Sequence, residues 1–144
     1  MPSIINREQD YAIRIVAYLS SQHDGSVSAK QIAQRIFVPL SSVSKIVHRL
    51  TKQEILTSLR GRNGGFQLRR SPDAITLLDV LTAMGFQLQL NDCTGDDHIC
   101  PLGSLCKVHT FFMDEQQALS QRFAAQKMSQ FAFSDNDIRN MTPS

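Results

Sequence analysis

Between Ser28 and Leu68 the chain runs through two short amphipathic helices, a tight break and a basic, glycine-rich hairpin, and few folds accommodate that order. The hairpin carries the strongest constraint. Residues 55–59 and 66–68 read as strands, and Arg60-Gly61-Arg62-Asn63-Gly64-Gly65 lies between them. Asn-Gly with a further Gly signals a hairpin turn, because these residues tolerate positive φ. Two arginines at such a tip have no apolar reason to be there. Laid along a nucleic-acid backbone or into a minor groove, they have an electrostatic one.

The segment before the hairpin agrees with that reading. Ser28 reads as an N-cap for a helix over 29–36, with Gln31 at the capping-box position. Pro39 biases Val38 away from helical angles and breaks the run. Ser41 or Ser42 is expected to cap a second helix reaching about Gln53, with Val43, Ile46, Val47 and Leu50 inward. Ser42, Ser44, Lys45, His48, Arg49 and Lys52 are then left toward solvent. Two helices of this kind form a helix-turn-helix pattern, and a basic hairpin directly after it is the wing of a winged helix. An ordinary helical hairpin with a solvated basic face is the plainer alternative.

Charge separates the chain into halves. Residues 28–70 carry nine Lys or Arg against one acid, Glu54, a balance of +8, while residues 71–144 carry four basic and nine acidic residues, or −5. Residues 1–27 contribute −1, which leaves the overall +2. An anionic partner for the first half alone follows. A chain of 144 residues is long enough to bury about two-thirds of its surface. Its apolar runs fall far short of the roughly 20 residues that span a bilayer. The start, MPSIINREQDY, lacks the apolar region of a secretory signal, so a cytoplasmic protein is expected. No nucleophile–base pairing, phosphate loop or paired carboxylates suggest an enzyme.

Flanking elements complete the pattern. A first helix is expected over 10–21, striped by Ile13, Val16, Ala17 and Leu19, and another over 77–84, opened by Thr76 and ended by Gly85. Residues 86–90 alternate and lead to the cysteines. From 102 to about 131 the chain reads as one long helix with Leu105, Val108, Phe112, Leu119 and Phe123 on one stripe and Gln116 at the missing position. Such a stripe needs a partner, expected to be the same helix of a second copy, with packing on its own domain as the alternative. Ser134 is expected to cap a last short turn.

All three cysteines lie in DCTGDDHICPLGSLCK, as Cys93, Cys100 and Cys106. The loop is rich in Gly and Asp and has little apolar material to bury, so packing does not explain it. The spacing, with six and then five intervening residues, is not that of a zinc ribbon or finger. Thiolates are soft ligands that select zinc, copper(I) or iron–sulfur clusters, and wide, uneven spacing suits a cluster held at several corners. A fourth ligand is then missing. Chemistry alone admits His98, His109, Asp92, Asp96, Asp97, Glu8 and Asp10. A cluster-free thiol switch and a zinc-stabilised interaction module remain as alternatives.

Taken together these motifs resemble the Rrf-two family of bacterial iron–sulfur winged-helix transcription regulators, of NsrR and IscR type and closer to the NsrR-like branch. The resemblance rests on D-Y-A-I-R at 10–14, V-S-K-I-V-H-R-L at 43–50, R-G-R-N-G-G-F-Q-L at 60–68, D-V-L at 79–81 and the cysteine loop with C-P-L at 100–102. It departs from the family in having six residues, not five, between the first two cysteines. The resemblance implies a mainly α fold: a winged helix-turn-helix domain over 1–85 with a small β-hairpin wing, a cluster-binding loop over 86–107, and a long C-terminal dimerisation helix and tail over 102–144. It implies a homodimer on a palindromic double-stranded DNA operator, with a cluster, four-iron rather than two-iron, on each subunit. Cys93, Cys100 and Cys106 would hold it, with Asp10 of the other copy as fourth ligand. The expected DNA contacts are Ser28, Ser41, Ser42, Ser44, Lys45, His48, Arg49, Arg60, Arg62 and Asn63. The implied function is a repressor responsive to nitric oxide, redox or iron status.

Overall fold

The computed structural model describes residues 3–96 and 100–141. Its core is built around α1 (Arg7–Leu19), whose Ala12, Ile15, Val16 and Tyr18 are fully buried. The helix starts three residues earlier than its apolar stripe suggests. Asn6 accepts from the Gln9 backbone N–H while the Gln9 side chain accepts from the Asn6 N–H, a capping box that opens the helix with a polar turn in which Gln9 is buried.

α2 (Ala29–Ile36) is capped by Ser28 and Gln31 as expected, and it stops at Phe37, which adopts a left-handed conformation with φ of 58°. α3 (Leu40–Lys52) buries Val43, Ile46, Val47 and Leu50. Neither Ser41 nor Ser42 caps it. Pro39 occupies the cap position with no side-chain bond, and its fixed φ delivers Leu40 straight into the helix, so both serines fall inside the first turn.

β1 (Leu56–Leu59) and β2 (Gly65–Leu68) pair antiparallel, Leu56 opposite Leu68 and Leu59 opposite Gly65. The hairpin is not free-standing. Val27 exchanges both backbone hydrogen bonds with Phe66, at 2.9 and 2.8 Å, so the loop before α2 forms a third, one-residue strand. Gly65 permits this approach, because a Cβ there would sit 2.5 Å from the Val27 carbonyl oxygen.

α4 (Leu77–Ala83) opens with a Thr76–Asp79 capping box and is followed by Gly85 at φ of 79°. Residues 86–90 run without regular structure, with Phe86 buried beneath them. The long helix differs from expectation. α5 spans Lys107–Ala125 only, preceded by a short 3-10 turn at Gly103–Leu105 and by Cys106 in an extended conformation. At its far end Gln126 is extended, and the chain turns back onto the head. Leu77 N–H donates to the Gln126 carbonyl and Met128 N–H to the Ile75 carbonyl, both at 2.8 Å. Met128 is fully buried in the main core. No Gly or Pro marks this break. It exists because burying Met128 and pairing two backbone groups outweighs two more helical turns.

The remainder wraps the head. Phe133 packs on Tyr18 with ring centroids 5.8 Å apart, and α6 (Asp135–Arg139) follows, capped by Ser134 and Asp137 as expected.

Candidate nucleic-acid interface and cysteine loop

The outward face of α3 is assembled as its pattern implies. Ser41, Ser44, Lys45, His48, Arg49 and Lys52 are exposed and Ser42 is half-buried. Lys45 Nζ meets Glu8 Oε1 of α1 at 3.0 Å, with both side chains largely in solvent. Such a pair is worth at most about 1 kcal/mol, so a phosphate can displace it. Arg49 is turned aside: its guanidinium lies against Gly85 at the end of α4, where any Cβ would meet it at 2.9 Å.

Arg60, Arg62 and Asn63 are exposed at the tip of the β1–β2 hairpin. Among the described residues neither arginine makes an ion pair. The Asn63 carbonyl accepts from Ser26 Oγ, which ties the tip to the loop before α2. Ser28 Oγ accepts from the Gln31 N–H as a cap and flanks the groove between that loop and the wing. Polar and basic groups of α3, the wing and the mouth of α2 are thus offered to solvent with few internal partners, the surface that a phosphate backbone requires.

The cysteine loop leads from residues 86–90 into α5. Cys93 sits on a 3-10 turn, Asp92–Thr94, and receives a hydrogen bond from the Asn91 side chain at 3.5 Å. Cys106 directly precedes α5. All three thiols are free and half-buried. As donors they fit an iron–sulfur cluster, being soft, unbridged and confined to one loop. Among the described residues, however, no three His, Cys, Asp or Glu side chains gather into a metal-holding group. Asp97 and His98, candidates for the fourth ligand, lie outside the described residues. Asp10 is exposed and paired with Arg14 at 3.1 Å. Glu8 is engaged by Lys45, and Asp92 and Asp96 are exposed.

His109 stands apart. Its Nδ1 is buried and finds no hydrogen-bond partner among the described residues, and it lies in the first turn of α5, three positions after Cys106. A buried imidazole nitrogen left unpaired is a cost that a ligand would relieve. The sequence admitted it as a candidate on ligand chemistry alone.

Sequence reasoning missed one polar cluster. Tyr18 donates to Asp135 at 2.7 Å and accepts from Arg35 at 2.6 Å, with Arg35 and Asp135 3.6 Å apart. Burial, and then the bond to the Asp135 carboxylate, hold the Tyr18 hydroxyl above the usual phenolic range. The backbone and hydroxyl of Ser134 hold Asp137 below the usual carboxylate range.

Helix-turn-helix, basic wing and the strand bridge between them define a winged-helix regulator. The model of the Rrf2 family, described as an iron-dependent transcriptional regulator, matches residues 5–133, and the chain belongs to that family. It is a DNA-binding transcription regulator and not an enzyme. The chain is 25% identical over 132 residues to an HTH-type transcriptional regulator NsrR of Shouchella clausii, covering 90% of this chain and 89% of that one. It is 31% identical over 98 residues to an IscR of Erwinia tasmaniensis, covering 68% of this chain and 59% of the relative. The match therefore spans less than two-thirds of some curated relatives. The fold is similar to that of CymR, the global cysteine regulator of B. subtilis, with a TM-score of 0.69 and 19% identity over 99% of this chain and 100% of that one. No helix among the described residues is long and apolar enough to cross a membrane.

Proposed function

We propose that this protein is a homodimeric repressor whose grip on a palindromic operator is controlled by an iron–sulfur cluster on Cys93, Cys100 and Cys106. The observation that carries the reading is the loop itself: three free, half-buried thiols on a segment rich in Gly and Asp, at the foot of α5. A cluster bound there supplies a group sensitive to nitric oxide, redox state or iron supply, and the four-iron type suits the wide spacing. The exposed Val108, Phe111 and Met113 of α5 support pairing with a second copy.

Two residues compete for the fourth position. The family pattern favours Asp10 of the second copy. It lies two residues from Glu8, which holds Lys45 of α3, so a ligand role would tie the cysteine loop to the recognition helix through the first turn of α1. The orphaned Nδ1 favours His109 of the same chain.

The test is an ultraviolet–visible spectrum with iron and sulfide counts on protein purified without oxygen. Brown protein with a sulfur-to-iron charge-transfer band is expected. Asp10→Ala and His109→Ala then separate the ligands by which change shifts that band. A cluster-free thiol switch is the second reading, favoured by the absence of a gathered donor group among the described residues. Colourless, iron-free protein that still binds DNA selects it.

A further inference from the structure

Resting on the DNA-binding reading, we infer that Ser26 is a positioning residue for the wing, setting where Arg60 and Arg62 meet the DNA backbone. Within the hairpin the turn is closed by one backbone bond, from the Gly64 N–H to the Gly61 carbonyl at 2.9 Å, which shapes the tip but does not tie it to the head. Arg60, Arg62 and Asn63 are all exposed. What holds it is the loop before α2. Val27 pairs with Phe66 through both backbone groups, and Gly65 sits flush on the Val27 peptide. This anchors the base of β2 but does not reach the turn itself. Ser26 does, by donating its hydroxyl to the carbonyl of Asn63, between Arg62 and Gly64.

The two ties act on one rigid base. Val27 leads directly into Ser28, the N-cap of α2, and α2 packs on α3. The base of the wing is joined to α3 directly through the run from α3 into β1, and its tip is tied to α2, and through α2 to α3, by the short run Ser26–Ser28. Losing the Ser26 bond leaves every core contact in place and frees only the tip. The arginines would still attract DNA, but each contact would have to order the loop first, and that ordering is subtracted from affinity.

The test is a thermodynamic cycle on operator duplex selected by the protein from a randomised library. Ser26→Ala is expected to weaken binding about three- to tenfold, the range of one lost hydrogen bond. It is also expected to flatten the dependence of log K on log salt toward that of Arg60→Ala/Arg62→Ala. In the double-arginine background Ser26→Ala should have no further effect. Ser26→Thr, which keeps the hydroxyl, should restore both affinity and slope. A purely structural serine would instead lower the melting temperature and weaken binding equally in both backgrounds, and that result overturns the inference. Loss of binding for the arginine variant with none for Ser26→Ala overturns it as well, while the DNA reading stands. If the arginine variant itself binds as wild type, the wing assignment is wrong, and the positioning role falls with it.

Discussion

Lys45 shows how a single residue serves two partners. In the free protein it rests on Glu8, a solvent-exposed pair whose loss costs little. In the proposed DNA-binding role it would trade that carboxylate for a phosphate. Lys45→Ala is expected to lower operator affinity and reduce the salt slope by about 1, with iron content unchanged. Loss of colour together with binding would show that head and loop are not separable. Tyr18 gives a pH prediction. Its hydroxyl titrates above the unfolded value of 10.0, so the folded state holds the proton more tightly. The stability gained is whole below that value and is lost as pH rises through the folded pKa. Tyr18→Phe should cost about 1 kcal/mol at neutral pH. It should also remove part of the stability loss seen as pH rises above about 10 in denaturant titrations. An unchanged alkaline profile would place the titrating group elsewhere.

At the scale of elements, the helix-turn-helix is held by two different kinds of stop. α2 ends on a left-handed Phe37, a conformation that costs a non-glycine residue about 1 kcal/mol and persists because Ile36 and Val38 on either side are buried. The wing depends on a close backbone approach at Gly65. Gly65→Ala forces a Cβ against the Val27 peptide, where backbone cannot yield cheaply. A loss of about 1–3 kcal/mol is expected from such overpacking, with operator binding weakened more than the stability change alone explains. Urea titration and a binding assay on the same preparation measure both. The apolar face of α5 is divided. Phe123 packs on Phe86 at 6.2 Å and Gln116 accepts from the Leu90 N–H at 2.9 Å, so the stripe read as a seam for a second copy partly serves its own chain.

Across the whole molecule, the return of the chain after α5 makes the head and the C-terminal segment one cooperative unit. Met128 is buried among residues of α1 and the segment before α4, and Asp135 closes on Tyr18 and Arg35. Met128→Ala should therefore destabilise the DNA-binding head by about 2–5 kcal/mol although it lies far from it in sequence. A single denaturation transition shifted to lower urea is expected. A separate early transition for the tail would contradict this unity.

The local rules were readable without coordinates. Ser28 with Gln31, Thr76, and the Ser134–Asp137 run marked three helix starts. The Asn-Gly-Gly turn announced the wing, and the Val43, Ile46, Val47, Leu50 stripe announced the inner face of α3. Each is a matter of neighbours within a few residues, where backbone hydrogen bonding and apolar period decide. The tertiary structure alone decided the rest. It placed Pro39 rather than a serine at the start of α3, broke the long helix at Gln126, and drew Val27 into the wing. It also left His109 Nδ1 buried without a partner among the described residues, in the first turn of α5. Those outcomes depend on which distant groups compete for burial and for hydrogen-bond partners, and that competition exists only once the chain has closed on itself.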